Sequence, residues 1–127
     1  MGFIEQMCAW EMLAWKLADA HDRREISPKD DELGRVRGLE GFWSRFVSSS
    51  VQCDFRSKSY AKPYDYDPSK QTVVATQEIT PSVAEVETHD TLRDYRFIYV
   101  LVKEAGVWKI QRKFRVDEYD YRDKEPI

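Results

Sequence analysis

The stretch YRFIYVLVK at residues 95–103, followed by Glu104-Ala105-Gly106 and then VWKIQRKFRV at residues 107–116, decides the architecture. Two long runs rich in β-branched and aromatic residues, split by a short connection that contains Gly106, predict a hairpin of long antiparallel strands. Upstream, residues 72–79 and 83–89 are two further β-prone runs, separated by Thr80-Pro81-Ser82. Together these runs require a sheet of four or more strands.

The front of the chain has a different period. Phe3, Met7, Trp10, Ala14 and Leu17 recur at steps of three and four, and Leu13 and Ala18 widen the stripe, which predicts an amphipathic helix from residue 3 to about residue 24. Ser27-Pro28 ahead of Lys29-Asp30-Asp31-Glu32 has the form of a helix start, with a capping hydroxyl, a proline in the first turn and acids at the positive end of the dipole. Gly34 is expected to end that short piece. Leu39, Phe42, Trp43, Phe46, Val47 and Val51 then predict a further helix over about residues 39–51. Arg35 and Arg37, beside Gly38 and Gly41, read as solvated helix-face charges, because no G-x-x-x-x-G-K-[ST] pattern makes them a phosphate cradle. Helices first and strands last define an α+β domain, with the helices covering one face of a curved antiparallel sheet.

At 127 residues the chain is expected to form one domain, and its four Trp, seven Tyr and six Phe supply apolar area for a core without metal or disulfide support. A formal charge of −3 argues against a dedicated nucleic-acid binder. Cys8 and Cys53 form no CxxC or Cys/His ligand set and read as packing or surface thiols in a reduced compartment. Glu5 and Glu11 interrupt the amino-terminal segment before an apolar run reaches signal-peptide or membrane-spanning length, so a cytoplasmic protein with no membrane span is expected. Residues 54–70 are polar, with Pro63 and Pro68, and read as a long connection around residues 60–69 with a short edge strand before it. Residues 117–127 are acidic and without periodicity, and are expected to form a flexible tail.

Strand alternation assigns faces. In the last long strand Trp108, Ile110, Phe114 and Val116 are expected on the core side, with Lys109, Gln111, Lys113 and Arg115 on the wet side. Glu85 and Glu87 would offset Lys109, Lys113 and Arg115 on that wet face, while Ala84 and Val86 face the core. Arg112 falls on the core side and must pair, reach the rim or line a pocket, with Glu78, Asp94 and Asp19 as the partners to check. His21, between Asp19 and Asp22, reads as a capping-region residue at a helix end. His89 and Asp90 could make an orienting dyad, but neighbours on a strand point to opposite faces. The chain carries no G-x-S-x-G elbow, no H-E-x-x-H and no Gly-rich dinucleotide loop, and no catalytic residue, metal or cofactor is expected.

The element order, with Ala105-Gly106-Val107-Trp108-Lys109-Ile110 opening the closing strand, resembles the nuclear-transport-factor-two-like cone fold over residues 3–116. Within that superfamily, MCAWEMLAW at residues 7–15, the segment at residues 64–68 and Tyr95-Arg96-Phe97 look like the immunity proteins of bacterial polymorphic toxin systems. The resemblance implies a protein that binds and neutralises a cognate toxin domain in the producing cell, without enzymatic activity. Tyr64-Asp65-Tyr66-Asp67 and Asp117-Glu118-Tyr119-Asp120-Tyr121 interleave acids with tyrosines, a composition that suits contact with a basic partner. The bland reading of both segments is a solvated loop and a frayed tail. Cone-fold enzymes such as ketosteroid isomerase and scytalone dehydratase suggest the alternative, an isomerase- or dehydratase-type enzyme or small-ligand binder with Arg112 and His89 lining its cavity. Against it, the first helix offers Trp10 and Trp15 but no Tyr. A homodimer through the exposed sheet face is a third reading, weakened by Lys109, Lys113 and Arg115.

Overall fold

The structure is a computed structural model that describes residues 2–53 and 64–127. Two helices, α1 (Phe3–Asp22) and α2 (Pro28–Phe46), precede five strands: β1 (Gln71–Thr80), β2 (Val83–Asp90), β3 (Tyr95–Glu104), β4 (Val107–Val116) and β5 (Arg122–Glu125). The α+β order expected from the sequence is therefore present. The chain forms two compact units, Met1–Ser44 with Cys53–Pro68, and Arg45–Gln52 with Ser69–Ile127.

In the first unit, α1 buries Met7, Trp10 and Ala14, as its apolar spacing requires. It ends in a Schellman arrangement, with Arg24 N–H donating to the His21 carbonyl at 3.0 Å and Glu25 N–H to the Ala20 carbonyl at 2.8 Å. Ser27 caps α2 as expected, its Oγ accepting from the Asp30 amide at 3.1 Å. The expected break at Gly34 does not occur, and one helix runs through Gly34, Gly38 and Gly41 to Phe46. Steric packing explains two of these glycines. A Cβ at Gly34 would sit 2.8 Å from Leu17 Cδ1, and one at Gly38 would sit 2.8 Å from Leu13 Cδ2 and 3.3 Å from Trp10 Cδ1. Close approach of α1 outweighs the poor helix propensity of glycine, about 1 kcal/mol per residue. Trp10 Nε1 donates to the Arg35 carbonyl at 2.9 Å across the same helix pair.

The second unit is an antiparallel meander in the order β1-β2-β3-β4-β5. The short connection expected around Gly106 is a two-residue turn, with φ of 50° at Ala105 and 77° at Gly106, the positive pair of a type I′ hairpin. The face assignment along β4 needs correction. Val100 pairs with Arg112 and Leu101 with Ile110, so Gln111 is an extra residue that reverses the alternation beyond it. Lys113, expected in water, is buried and lies 4.4 Å from the Phe97 ring, whereas Trp108, expected in the core, is exposed beside Lys103 Nζ. Phe97, Ile98 and Tyr99 are buried in succession along β3.

Glu85 and Glu87 do not meet Lys109, Lys113 or Arg115 as expected. Glu85 takes both guanidinium nitrogens of Arg122 at 2.7 and 3.0 Å, and Glu87 takes Arg96 at 2.9 Å. Arg115 pairs with Glu125 at 3.2 Å, and Lys109 donates to the Arg45 carbonyl at 2.8 Å. The expected helix over 39–51 stops at Phe46: Val47 bridges Ile110 and the Ser48 amide donates to the Ile110 carbonyl at 2.8 Å. The flexible tail is also corrected, because residues 122–125 pair with β4 as a fifth strand and Ile127 is buried. The short edge strand expected before residue 60 lies outside the described residues.

Candidate partner-binding surface

The two acid–tyrosine segments differ in environment. Residues 64–67 belong to the first unit, where the carboxylate of Glu11, fully buried on α1, accepts from the Asp65 and Tyr66 amides at 3.1 Å each. Tyr66 is itself buried and stands edge-on to Phe3, ring centroids 5.5 Å apart. Tyr64, Asp65 and Asp67 are half-buried. Burial, with the Glu11 and Asp67 carboxylates adding to it, pushes the neighbouring Cys8 thiol up, and burial also raises the Tyr64 hydroxyl. This segment is chiefly an anchor for the chain against α1.

Residues 117–121 belong to the second unit and form a braced turn between β4 and β5. Asp117 Oδ1 accepts from the Tyr119 amide at 2.8 Å and from the Tyr121 amide at 3.0 Å, and the Asp117 amide donates back to the Tyr121 carbonyl at 3.0 Å. Asp120 takes a positive φ of 63°, which an aspartate tolerates, and its carboxylate holds Arg96 Nη1 at 2.9 Å. Arg96 thus bridges Asp120 to Glu87, and its guanidinium is stabilised further in the charged form. On this fixed backbone Tyr119 and Tyr121 are 74% and 71% exposed, with exposed Glu118 beside them.

Of Arg112 and His89, the residues considered for a pocket, Arg112 lines a cleft in which His89 takes no part. Arg112 is on the opposite face from Ile110 because of the extra residue Gln111, and it lines a cleft of about 510 Å³ with Gln52, Lys124 and Ile127. None of Glu78, Asp94 and Asp19 forms an ion pair with it among the described residues. His89 instead lies 2.7 Å from Asp94 Oδ1 at the β2–β3 turn. Its neighbour Asp90 points elsewhere, buried, and accepts from the Leu92 and Arg93 amides at 2.9 and 3.1 Å and from the Arg93 side chain at 2.8 Å. His21 lies 3.1 Å from Asp31, whose same oxygen accepts from Arg35 Nη2 at 2.8 Å. Arg35 is therefore largely enclosed and ion-paired, which corrects its reading as a solvated charge, while Arg37 is exposed.

Sequence reasoning missed the three buried carboxylates Glu11, Asp31 and Asp90. The signals available were a glutamate inside the apolar stripe of α1 and an aspartate four residues ahead of Arg35. Among the described residues no group of three or more His, Cys, Asp or Glu is placed to hold a metal ion, and no helix is long and apolar enough to cross a membrane. Comparison of the chain with protein-family models, with curated proteins and with solved structures gives no match.

Proposed function

We propose that this chain acts by stoichiometric binding, as an immunity protein of the cone-fold kind that neutralises a cognate secreted toxin domain in the cytoplasm of the producing bacterial cell. The observation that carries this reading is the braced turn at residues 117–121. Two highly exposed tyrosines on a hydrogen-bonded backbone are rigid contact groups that lose little entropy on binding, and the acids around them steer a basic partner. The burial of Tyr66 and the bonds that the Asp65 and Tyr66 amides donate to Glu11 shift the expected contact away from residues 64–67 and onto this turn. The N-terminal helices followed by a meandering antiparallel sheet are compatible with a cone fold. The test is co-expression with the toxin domain encoded by the adjacent gene, scoring growth rescue and co-elution. Rescue is expected, and Tyr119→Ala with Tyr121→Ala should weaken the complex about 100-fold, the effect of losing two aromatic anchors. Absence of rescue, or a double variant that binds as tightly as the parent, overturns the reading.

The second reading, a small-ligand binder or isomerase/dehydratase-type enzyme, is favoured by the cleft beside Arg112. Arg112 and Lys124 there would select a carboxylate or phosphate ligand. Titration with small carboxylates and inorganic phosphate, with Arg112→Ala as control, decides it: saturable binding lost in the variant supports this reading, and no saturation removes it.

A further inference from the structure

The edge of β4 that faces away from β3 is covered at two places and open between them. At Ile110 it is covered by Val47 and Ser48, after which the chain turns away, the Val51 amide donating to the Ser48 carbonyl at 3.0 Å. Over residues 113–116 it is covered by β5. Glu125 is the last β5 partner, facing Lys113, and the next position, opposite Arg112, is Pro126, which has no N–H to continue the ladder. Gln111 and Arg112 therefore lie in a gap, and Gln111, the extra residue of β4, has no register partner in β3 either. The cleft of about 510 Å³ opens at this gap. Two residues of open edge are too few to seat a strand, whereas the volume falls in the range of small-molecule sites.

The charge at the cleft is unbalanced. The strands carry four arginines, Arg96, Arg112, Arg115 and Arg122, and all but Arg112 hold a carboxylate. Among the described residues neither Arg112 nor Lys124 has an ion pair. The register puts these two cations on one face, because Lys124 faces Phe114, two residues from Arg112. Glu85 and Glu87 share that face but are taken by Arg122 and Arg96, and Glu125, the acid in the cleft lining, is taken by Arg115. Beside the cations stand Val51, Pro126 and the buried Ile127. We infer that the cleft binds a small monocarboxylate with an apolar body. The Arg112 fork and the Lys124 ammonium hold its carboxylate, and its hydrocarbon lies against Val51, Pro126 and Ile127. This inference rests on the second reading above and narrows its ligand class. Phosphate is the poorer fit, because the lining includes no helix N-terminus and the Glu125 carboxylate opposes a second negative charge.

The experiment is calorimetric titration of the whole chain with sodium butyrate, hexanoate and octanoate at fixed ionic strength, beside inorganic phosphate and hexanol. The expected result is saturable binding of the carboxylates that tightens about two- to fourfold per added methylene, the upper figure being full burial of each. Phosphate and hexanol should bind at least about tenfold more weakly than hexanoate. In the parent chain, hexanoate should shift the backbone amide resonances of Gln111, Arg112 and Ile127. Arg112→Gln and Lys124→Gln change exposed side chains, and each should weaken hexanoate binding about tenfold. Val51→Thr keeps the shape and adds a hydroxyl, so it should flatten the dependence on chain length. Phosphate that binds as tightly as hexanoate, or a carboxylate series without dependence on length, overturns the inference and leaves the anion site of the second reading standing. Hexanoate binding indifferent to both cation variants, or amide shifts confined to other residues, puts the ligand outside the cleft and overturns the inference. No saturation by any of these probes overturns the inference and the second reading together. The lining includes none of residues 117–121, so the proposed toxin contact is tested separately.

Discussion

Arg24 carries the left-handed backbone that closes α1, at φ 61°, in the position where glycine is the usual occupant. The Schellman hydrogen bonds need that conformation and an arginine adopts it at a cost, so Arg24→Gly should raise stability by about 0.5–1 kcal/mol, measured as a higher denaturant midpoint at unchanged slope. Glu11 presents the opposite case, a buried charge whose two oxygens each accept a backbone amide. Glu11→Leu preserves bulk but leaves the Asp65 and Tyr66 amides without that acceptor, and the expected loss is about 2–4 kcal/mol with faster amide exchange at both positions. An unchanged exchange rate at Asp65 and Tyr66 would show that Glu11 is not what holds the segment. The end of α1 was legible in the sequence only to within a residue or two, because no glycine marks it. Glu11 was visible as an acid in an apolar stripe, but its partners are backbone amides more than fifty positions away, and amides leave no trace in a pattern of side chains.

At the level of elements, what could be read locally was read and what depended on long-range packing was not. The strands β1 to β4 and the hairpin turn follow from residue type and the position of Gly106, whereas the continuity of α2 through its glycines depends on α1. Likewise the extra residue Gln111 reverses the faces of β4 without any mark in the alternation of VWKIQRKFRV, and with it the place of Arg112 and Lys113. The glycines of α2 allow a direct test of this account. A Cβ at Gly41 meets nothing within 4 Å, so Gly41→Ala should stabilise the helix by about 0.5–1 kcal/mol through propensity alone. At Gly38 the added methyl meets Leu13, which can yield at an exposed site, and Trp10, whose indole is buried and tied to the Arg35 carbonyl and cannot. Gly38→Ala should therefore cancel its propensity gain and fall about 1–2 kcal/mol below the parent, the scale of overpacking a core. Thermal melts of the two variants should move in opposite directions, and a parallel rise would show that α1 does not constrain Gly38.

For the molecule as a whole, the response to acid follows from carboxylates that the fold holds in their charged form. The bonds from Arg122 hold the Glu85 carboxyl below the usual carboxylate range, and the Ser48 hydroxyl, followed by the Ser49 amide and hydroxyl, does the same for Glu104. Both belong to the second unit, at separate places: Glu85 links β2 to Arg122 of β5, and Glu104 ties the residue 48–49 turn to the end of β3. A carboxyl lowered in the folded state binds fewer protons than in the unfolded chain, so its stabilisation is complete above the ordinary carboxylate value and is lost as pH falls through the lowered one. Unfolding free energy is therefore expected to be level from pH 7 to about 5 and to decline below about 4.5. Replacing Glu85 with glutamine removes one of these proton-linked groups while keeping an acceptor for Arg122. Its cost at pH 7 should be about 0.5–1 kcal/mol, the range for a partly exposed ion pair, and the difference from the parent should close as the pH approaches 3. Denaturant titrations of parent and Glu85→Gln at pH 7, 5 and 3 measure this, with Trp108 fluorescence reporting on the second unit because the other tryptophans, Trp10, Trp15 and Trp43, lie in the first. Curves that remain parallel down to pH 3 would mean that Glu85 titrates alike in both states, and the Arg122 pair would then contribute nothing to acid stability.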